Sequence, residues 1–155
     1  MTAEEIIAFV AALPGAVAIT ADSTTGAPVA AWGDTFFFHD PDGDPEARRF
    51  PFATLVTKDY DGFDTASALH RPGVFRVNIG VGREGFEQAI GHAPAEQAAR
   101  QADFDYAAAD RLLPHPVYAA QGWVCVVNPG AATGERVRDL LTAAHGRAAR
   151  RRSDE

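Results

Sequence analysis

Gln121-Gly122-Trp123-Val124-Cys125-Val126-Val127-Asn128-Pro129 decides the fold. Its apolar run is short, valine-rich and bounded by Gly and Asn-Pro, which is the signature of a buried strand. The residues before it, Leu112-Leu113-Pro114-His115-Pro116-Val117-Tyr118, read as a proline-pinned approach loop. Val117 to Val127 is the expected strand, broken at Gly122. After it, Thr133 is placed to cap a closing helix. Val137, Leu140, Leu141, Ala144 and Ala148 fall on one stripe of that helix.

The N-terminal end mirrors this arrangement. Thr2 and Glu5 have capping-box spacing, and Ile6, Phe9, Val10 and Leu13 recur on one helical face until Pro14-Gly15. Ala16 to Thr20 is a short strand. Val29 to Trp32 and Thr35 to His39 read as two strands around a Gly33-Asp34 turn. Phe52 to Thr57 and Val74 to Ile79 are further strands. In the second, Val74, Arg76 and Asn78 face one way and Phe75, Val77 and Ile79 the other. Gly82 to Ile90 predicts a helix stopped by Gly91. Pro94 to Ala102 and Tyr106 to Leu113 predict weaker helical pieces. Strands group together instead of alternating with helices. The expected fold is therefore α+β, a mainly antiparallel sheet with the N- and C-terminal helices packed on one face. Residues 1–149 form the expected single domain, and 150–155 a charged, disordered tail.

The chain has 155 residues with a net charge of −7, from 21 acidic and 14 basic side chains. That balance argues against broad contact with nucleic acid or an anionic membrane, since a phosphate backbone rewards a basic face. No apolar run approaches the roughly 20 residues needed to span a bilayer. Glu4 and Glu5 stand where a secretory signal needs a basic start, and Cys125 is the only cysteine. The expected compartment is the cytoplasm. Lys58 is the only lysine in an arginine-using, alanine-rich chain, a habit of GC-rich actinobacterial genomes. The arginines at 147, 150, 151 and 152 read as cations suited to a helix C-terminus.

Two groups resemble this pattern. The order of first helix, Phe36-Phe37-Phe38 strand, Phe52–Thr57 strand, proline and aromatic loop, Trp123-led strand and final helix is similar to the YjbR/MmcQ-like group. That resemblance implies a frataxin-like α+β fold. The chain departs from the group at Ala120-Gln121-Gly122, where an Asn-Lys pair is usual, and in a longer segment from Asn78 to Asp105. Trp32-Gly33-Asp34-Thr35-Phe36-Phe37, Arg76-Val77-Asn78-Ile79-Gly80-Val81 and His115-Pro116-Val117-Tyr118 resemble an actinobacterial family of unknown function. No activity comes with either. The wider group's suspected DNA binding supplies one alternative reading, a nucleic-acid-binding accessory protein.

Gly80-Val81-Gly82-Arg83-Glu84-Gly85 matches G-x-G-x-x-G between a strand and a helix. No parallel βαβ unit surrounds it, so a dinucleotide is not expected. Gly80, Gly82 and Arg83 remain an anion-binding turn to be tested. Asp40-Pro41-Asp42-Gly43-Asp44 lacks a late bidentate acid, because Pro51 stands there, and reads as a solvated connection. The five histidines show no zinc spacing, so no metal and no cofactor are expected. Ser23, Ser67 and Ser153 form no nucleophile elbow.

What remains is a looser set: Lys58, Arg76, Asn78, His115 and Tyr118, near Trp32 or Trp123. A few polar groups on an aromatic floor suit a small-molecule site. The expected function is binding of a small anionic ligand or a protein partner on one sheet face. An enzyme using His115 or Lys58 as acid or base is the other alternative. A purely structural role also stands open, with Arg76 and Lys58 paired to Asp59 or Asp64 and His115 capping a backbone carbonyl.

Overall fold

The computed structural model describes residues 1–48 and 50–153. The helix α1 (Ala3–Ala11) starts where the sequence places it, because Thr2 Oγ1 accepts the Glu5 amide at 3.1 Å. Ile6 and Val10, one turn apart, are its buried side. Gly15 takes φ +70°, turning the chain into β1 (Ala16–Thr20). The remaining elements are β2 (Thr35–His39), β3 (Ala53–Val56), β4 (Arg76–Gly80), α2 (Gly82–Ile90), β5 (Leu113–Pro114), β6 (Trp123–Val127) and α3 (Gly134–Ser153). They build a six-stranded sheet in the order β1-β2-β3-β4-β6-β5, antiparallel at every pairing.

Register separates the two faces. Phe37 lies opposite Ala53, Ala53 opposite Ile79, and Ile79 opposite Val124. Leu55, Val77 and Val126 form a parallel row beside them. This face is buried under Ile6 and Val10 of α1 and Val137, Leu141 and Ala144 of α3, with Phe86 of α2 at its edge. Both terminal helices therefore cover the same side. Each fully buried Leu, Ile or Phe contributes about 1.5–3 kcal/mol, so this layer holds the domain together.

Asp110 fixes where α3 begins. Its carboxylate accepts the amides of Gly130 (2.8 Å), Ala132 (3.0 Å) and Thr133 (3.0 Å) and the Thr133 hydroxyl (2.6 Å). Those hydrogen bonds hold its pKa down at about 2. Farther along the helix, His145 Nε2 donates to the Pro14 carbonyl at 2.6 Å, tying α3 to the end of α1.

Local expectations fail where tertiary contacts override propensity. Val29–Ala31 is a short 3-10 turn following Pro28, not a strand, and Val29 is largely exposed. Residues Pro94–Asp103 form 3-10 turns in place of an α-helix. The strand expected from Val117 is only Trp123–Val127, because Ala119–Gln121 makes a 3-10 turn ended by Gly122 at φ +83°. The tail expected from residue 150 continues α3 through Ser153, with Arg152 bonded to Asp42 at 2.7 Å. The last two tail residues, Asp154 and Glu155, lie outside the described residues. Among the described residues no helix is long and apolar enough to cross a membrane.

Candidate functional site

The second face of the sheet carries the alternate residues of the same strands: Phe36 opposite Thr54, Thr54 opposite Asn78, and Asn78 opposite Cys125. Among the described residues no α-helix lies flat on it. Instead it forms the floor of a cavity of about 1100 Å³, open along one side. Phe36, Phe38, Phe63, Tyr118 and Trp123 supply its aromatic surface. Phe63 and Tyr118, whose rings lie 5.9 Å apart, are both about half exposed at the mouth.

One end of the cavity is polar and closed. Arg76 is completely buried there. Its Nε donates to Asn78 Oδ1 (2.8 Å), and Nη1 donates to Asp64 Oδ1 (3.1 Å) and Ser67 Oγ (2.8 Å). Nη2 donates to Asp64 Oδ2 at 2.5 Å and lies 3.3 Å from His115 Nε2. The ion pair is bidentate, so the guanidinium arrives already neutralised. His115 Nδ1 accepts the amides of Val117 (3.0 Å) and Tyr118 (2.9 Å), which pins the turn after Pro116. Burial, and then the adjacent Arg76, push the His115 pKa down to about 3, so the ring is neutral at physiological pH.

The other end is cationic. Arg147, Arg151 and Arg152 reach it from the last turns of α3, together with His39 from β2. Arg147 Nη1 donates to the Gly80 carbonyl at 3.1 Å. Burial and the neighbouring Arg151 and Arg150 lower the Arg147 pKa. Gly80 is four positions along β4 from Arg76, so the two ends stand about 13 Å apart.

The family of unknown function DUF6194 matches the chain over residues 1–155. The chain belongs to that family. No curated protein and no solved structure matches it. The DUF6194 match brings no activity, and it brings neither a YjbR/MmcQ-like relationship nor an actinobacterial origin.

Of the residues proposed from sequence, this DUF6194 protein brings Asn78, His115, Tyr118 and Trp123 to the cavity, with Arg76 sealed behind Asn78. Lys58 and Trp32 are elsewhere. Lys58 Nζ bonds the Trp32 carbonyl and lies 3.6 Å from Asp34 Oδ1, beside a separate groove against the N-terminal residues. Trp32 donates its indole N–H to Ala27 O at 3.1 Å. The partner of Lys58 is thus Asp34, not Asp59 or Asp64, because Asp64 is held by Arg76. His115 accepts backbone amides, where the structural alternative had it capping a backbone carbonyl.

The glycine-rich turn has a packing explanation. The Trp123 ring rests on Gly80, while the Arg147 guanidinium and the Gly122 backbone crowd Gly82, which sits at φ +77°. The amides of Val81 and Gly82 both donate to Gly122 O, and Arg83 points to solvent. The turn therefore receives a cation of its own chain. Asp40 organises its loop through Asp44 N (2.9 Å) and Arg48 Nε (2.7 Å). Among the described residues no three His, Cys, Asp or Glu side chains gather as a metal set. Cys125 is fully buried and its thiol pKa is pushed up to about 12, so it stays protonated.

Sequence reasoning named Asp64 only as a structural partner of Arg76, and missed Tyr60 and the arginines of α3 as parts of this site. Two signals were present. Three consecutive phenylalanines on a strand cannot all face one core, so Phe36 and Phe38 announce a second apolar face. Arg147 and Arg151 are one turn apart and flank the Ala144 and Ala148 stripe, which places both beside the sheet and not out in solvent.

Proposed function

We propose that the protein binds a small, elongated anion whose apolar body lies along the uncovered sheet face. One observation carries this reading: an aromatic cavity at the upper end of the usual ligand-site size, with three arginines at one end. The anionic group belongs with Arg147 and Arg151, because Arg152 is paired with Asp42. Arg76 is a poor receptor for it, because Asp64 already cancels its charge. An acid–base role for His115 or Lys58 has less support. The imidazole stays neutral, and the lysine is tied to Trp32 and Asp34 away from the cavity. A nucleic-acid role has only the arginine end of α3 behind it, against a net charge of −7.

The test is a titration of the full chain with dodecanoate, dodecanol and dodecyltrimethylammonium, followed by tryptophan fluorescence and calorimetry. Dodecanoate is expected to bind best and the cation worst. Arg147→Gln combined with Arg151→Gln is expected to weaken dodecanoate about tenfold, the effect of losing a charge-assisted contact. Equal binding of all three amphiphiles, or binding of none, would sink the reading.

A further inference from the structure

The closed end of the cavity contains two donors with nothing between them. His115 Nδ1 accepts two backbone amides, Val117 at 3.0 Å and Tyr118 at 2.9 Å, so it carries no proton. A neutral imidazole then holds its proton on Nε2. Arg76 Nη2 stands 3.3 Å from that nitrogen, and a guanidinium only donates. Asp64 does not relieve the conflict, since its oxygens are turned to Arg76 and neither bonds His115. A buried donor without an acceptor is costly.

Asn78 adds to the excess. Its Oδ1 accepts from Arg76 Nε, which fixes the amide orientation, and its Nδ2 donates to Thr54 Oγ1 at 2.9 Å. An amide nitrogen has a second hydrogen to give. His115 is buried to 3% exposure and Asn78 likewise to 3%, yet both line the cavity. The closed end is therefore donor-rich.

We infer that this end is a second subsite, which takes an uncharged acceptor oxygen of the ligand, a carbonyl or ester oxygen, on His115 Nε2–H with Asn78 Nδ2 beside it. The inference rests on the proposed anion-binding role and adds a requirement at the far end of the same ligand. The favoured ligand class is an acid with an apolar middle and a carbonyl group distal to its carboxylate. Such a molecule places its charge on the α3 arginines and its carbonyl on the donors at the opposite end of the cavity.

Two measurements on the full chain decide it. Long-range ¹H–¹⁵N correlation of the imidazoles reads the tautomer of His115 directly. The Nε2–H form is expected, and the Nδ1–H form would overturn the inference, because Nε2 would then simply accept from Arg76. The second measurement compares monomethyl decanedioate, whose distal ester can only accept, with dodecanoate. The ester acid is expected to bind about tenfold tighter. His115→Asp keeps an acceptor for the Val117 and Tyr118 amides but removes the donor, and is expected to abolish that preference. His115→Asn keeps both functions and is expected to retain part of it, with thermal melts confirming that both variants fold. If dodecanoate binds and the ester acid gains nothing, the subsite is wrong while the anion-binding reading survives. If neither binds, both fail.

Discussion

The two faces of one sheet solve burial in different ways. The face under α1 and α3 is closed by side chains alone: Phe37, Leu55, Val77 and Ile79 meet helical Ile6, Val10 and Leu141. The opposite face uses the intervening residues of the same strands, yet it seals only one end, with the Arg76–Asp64 pair, and leaves the rest hollow. The apolar face gains stability from every methylene it hides. The polar end gains little from its net energy, because desolvating two charges offsets most of their attraction. What it supplies is a fixed wall. A side chain held by four directed hydrogen bonds to Asn78, Asp64 and Ser67 cannot collapse into the space beside it.

The sharpest way to break this contrast is Arg76→Met. The variant leaves the Asp64 carboxylate buried without its partner and is expected to lose about 3–5 kcal/mol in urea unfolding. The double variant Arg76→Met with Asp64→Leu is expected to recover most of that loss. A single variant as stable as the parent would mean that the pair contributes nothing to the wall. Next in size is a pair of neighbours. Phe37→Ala opens a hole in the closed core and is expected to cost about 3–5 kcal/mol. Phe36→Ala, one residue away on the cavity side, is expected to cost about 1 kcal/mol, because its ring is only partly buried, while weakening dodecanoate binding. Equal losses at the two positions would erase the distinction between the faces.

A further expected effect is a pH slope. His115 has its pKa lowered from 6.5 to about 3 in the folded chain. Between those values the unfolded chain binds a proton there and the folded chain does not. Stability therefore falls as pH drops from 6.5 toward 3. His39, also lowered, chiefly by burial, acts in the same direction. Unfolding midpoints measured across that range are expected to show a shallower slope for His115→Asn than for the parent. Parallel slopes would mean that His115 titrates normally.

The helix-covered face was legible in the sequence because periodicity reports it. Alternation in β4 and a stripe in α3 are one-dimensional signals of a two-layer core. The boundaries of β1, β2 and α2 match their expected residues, since Pro14-Gly15, Gly33-Asp34 and Gly91 act locally. The site was legible only in part. Arg76, Asn78 and His115 meet because antiparallel register and the Pro114–Pro116 loop bring them together, and strand alternation predicted the first two as neighbours. Lys58 was misplaced by its rarity, which is a property of composition and carries no geometry. Asp34, the residue that holds it, was read as half of a hairpin turn. Its carboxylate in fact accepts the Thr57 amide at 2.8 Å and the Tyr60 hydroxyl, contacts that bridge more than twenty residues and leave no local trace. The arginines of α3 read as solvated when only their clustering at a helix C-terminus is weighed, and their spacing beside the Ala144 and Ala148 stripe is the signal that corrects this.

That helix carries two sets of instructions on separate turns. Val137 and Leu141 answer to folding, while Arg147, Arg151 and Arg152 line one end of the cavity. Arg151 touches the cavity while the earlier turns fill the core, so a change at Arg151 can revise what is bound and leave most of what is folded alone. A lineage of such chains would diversify first at the trailing end of its last helix.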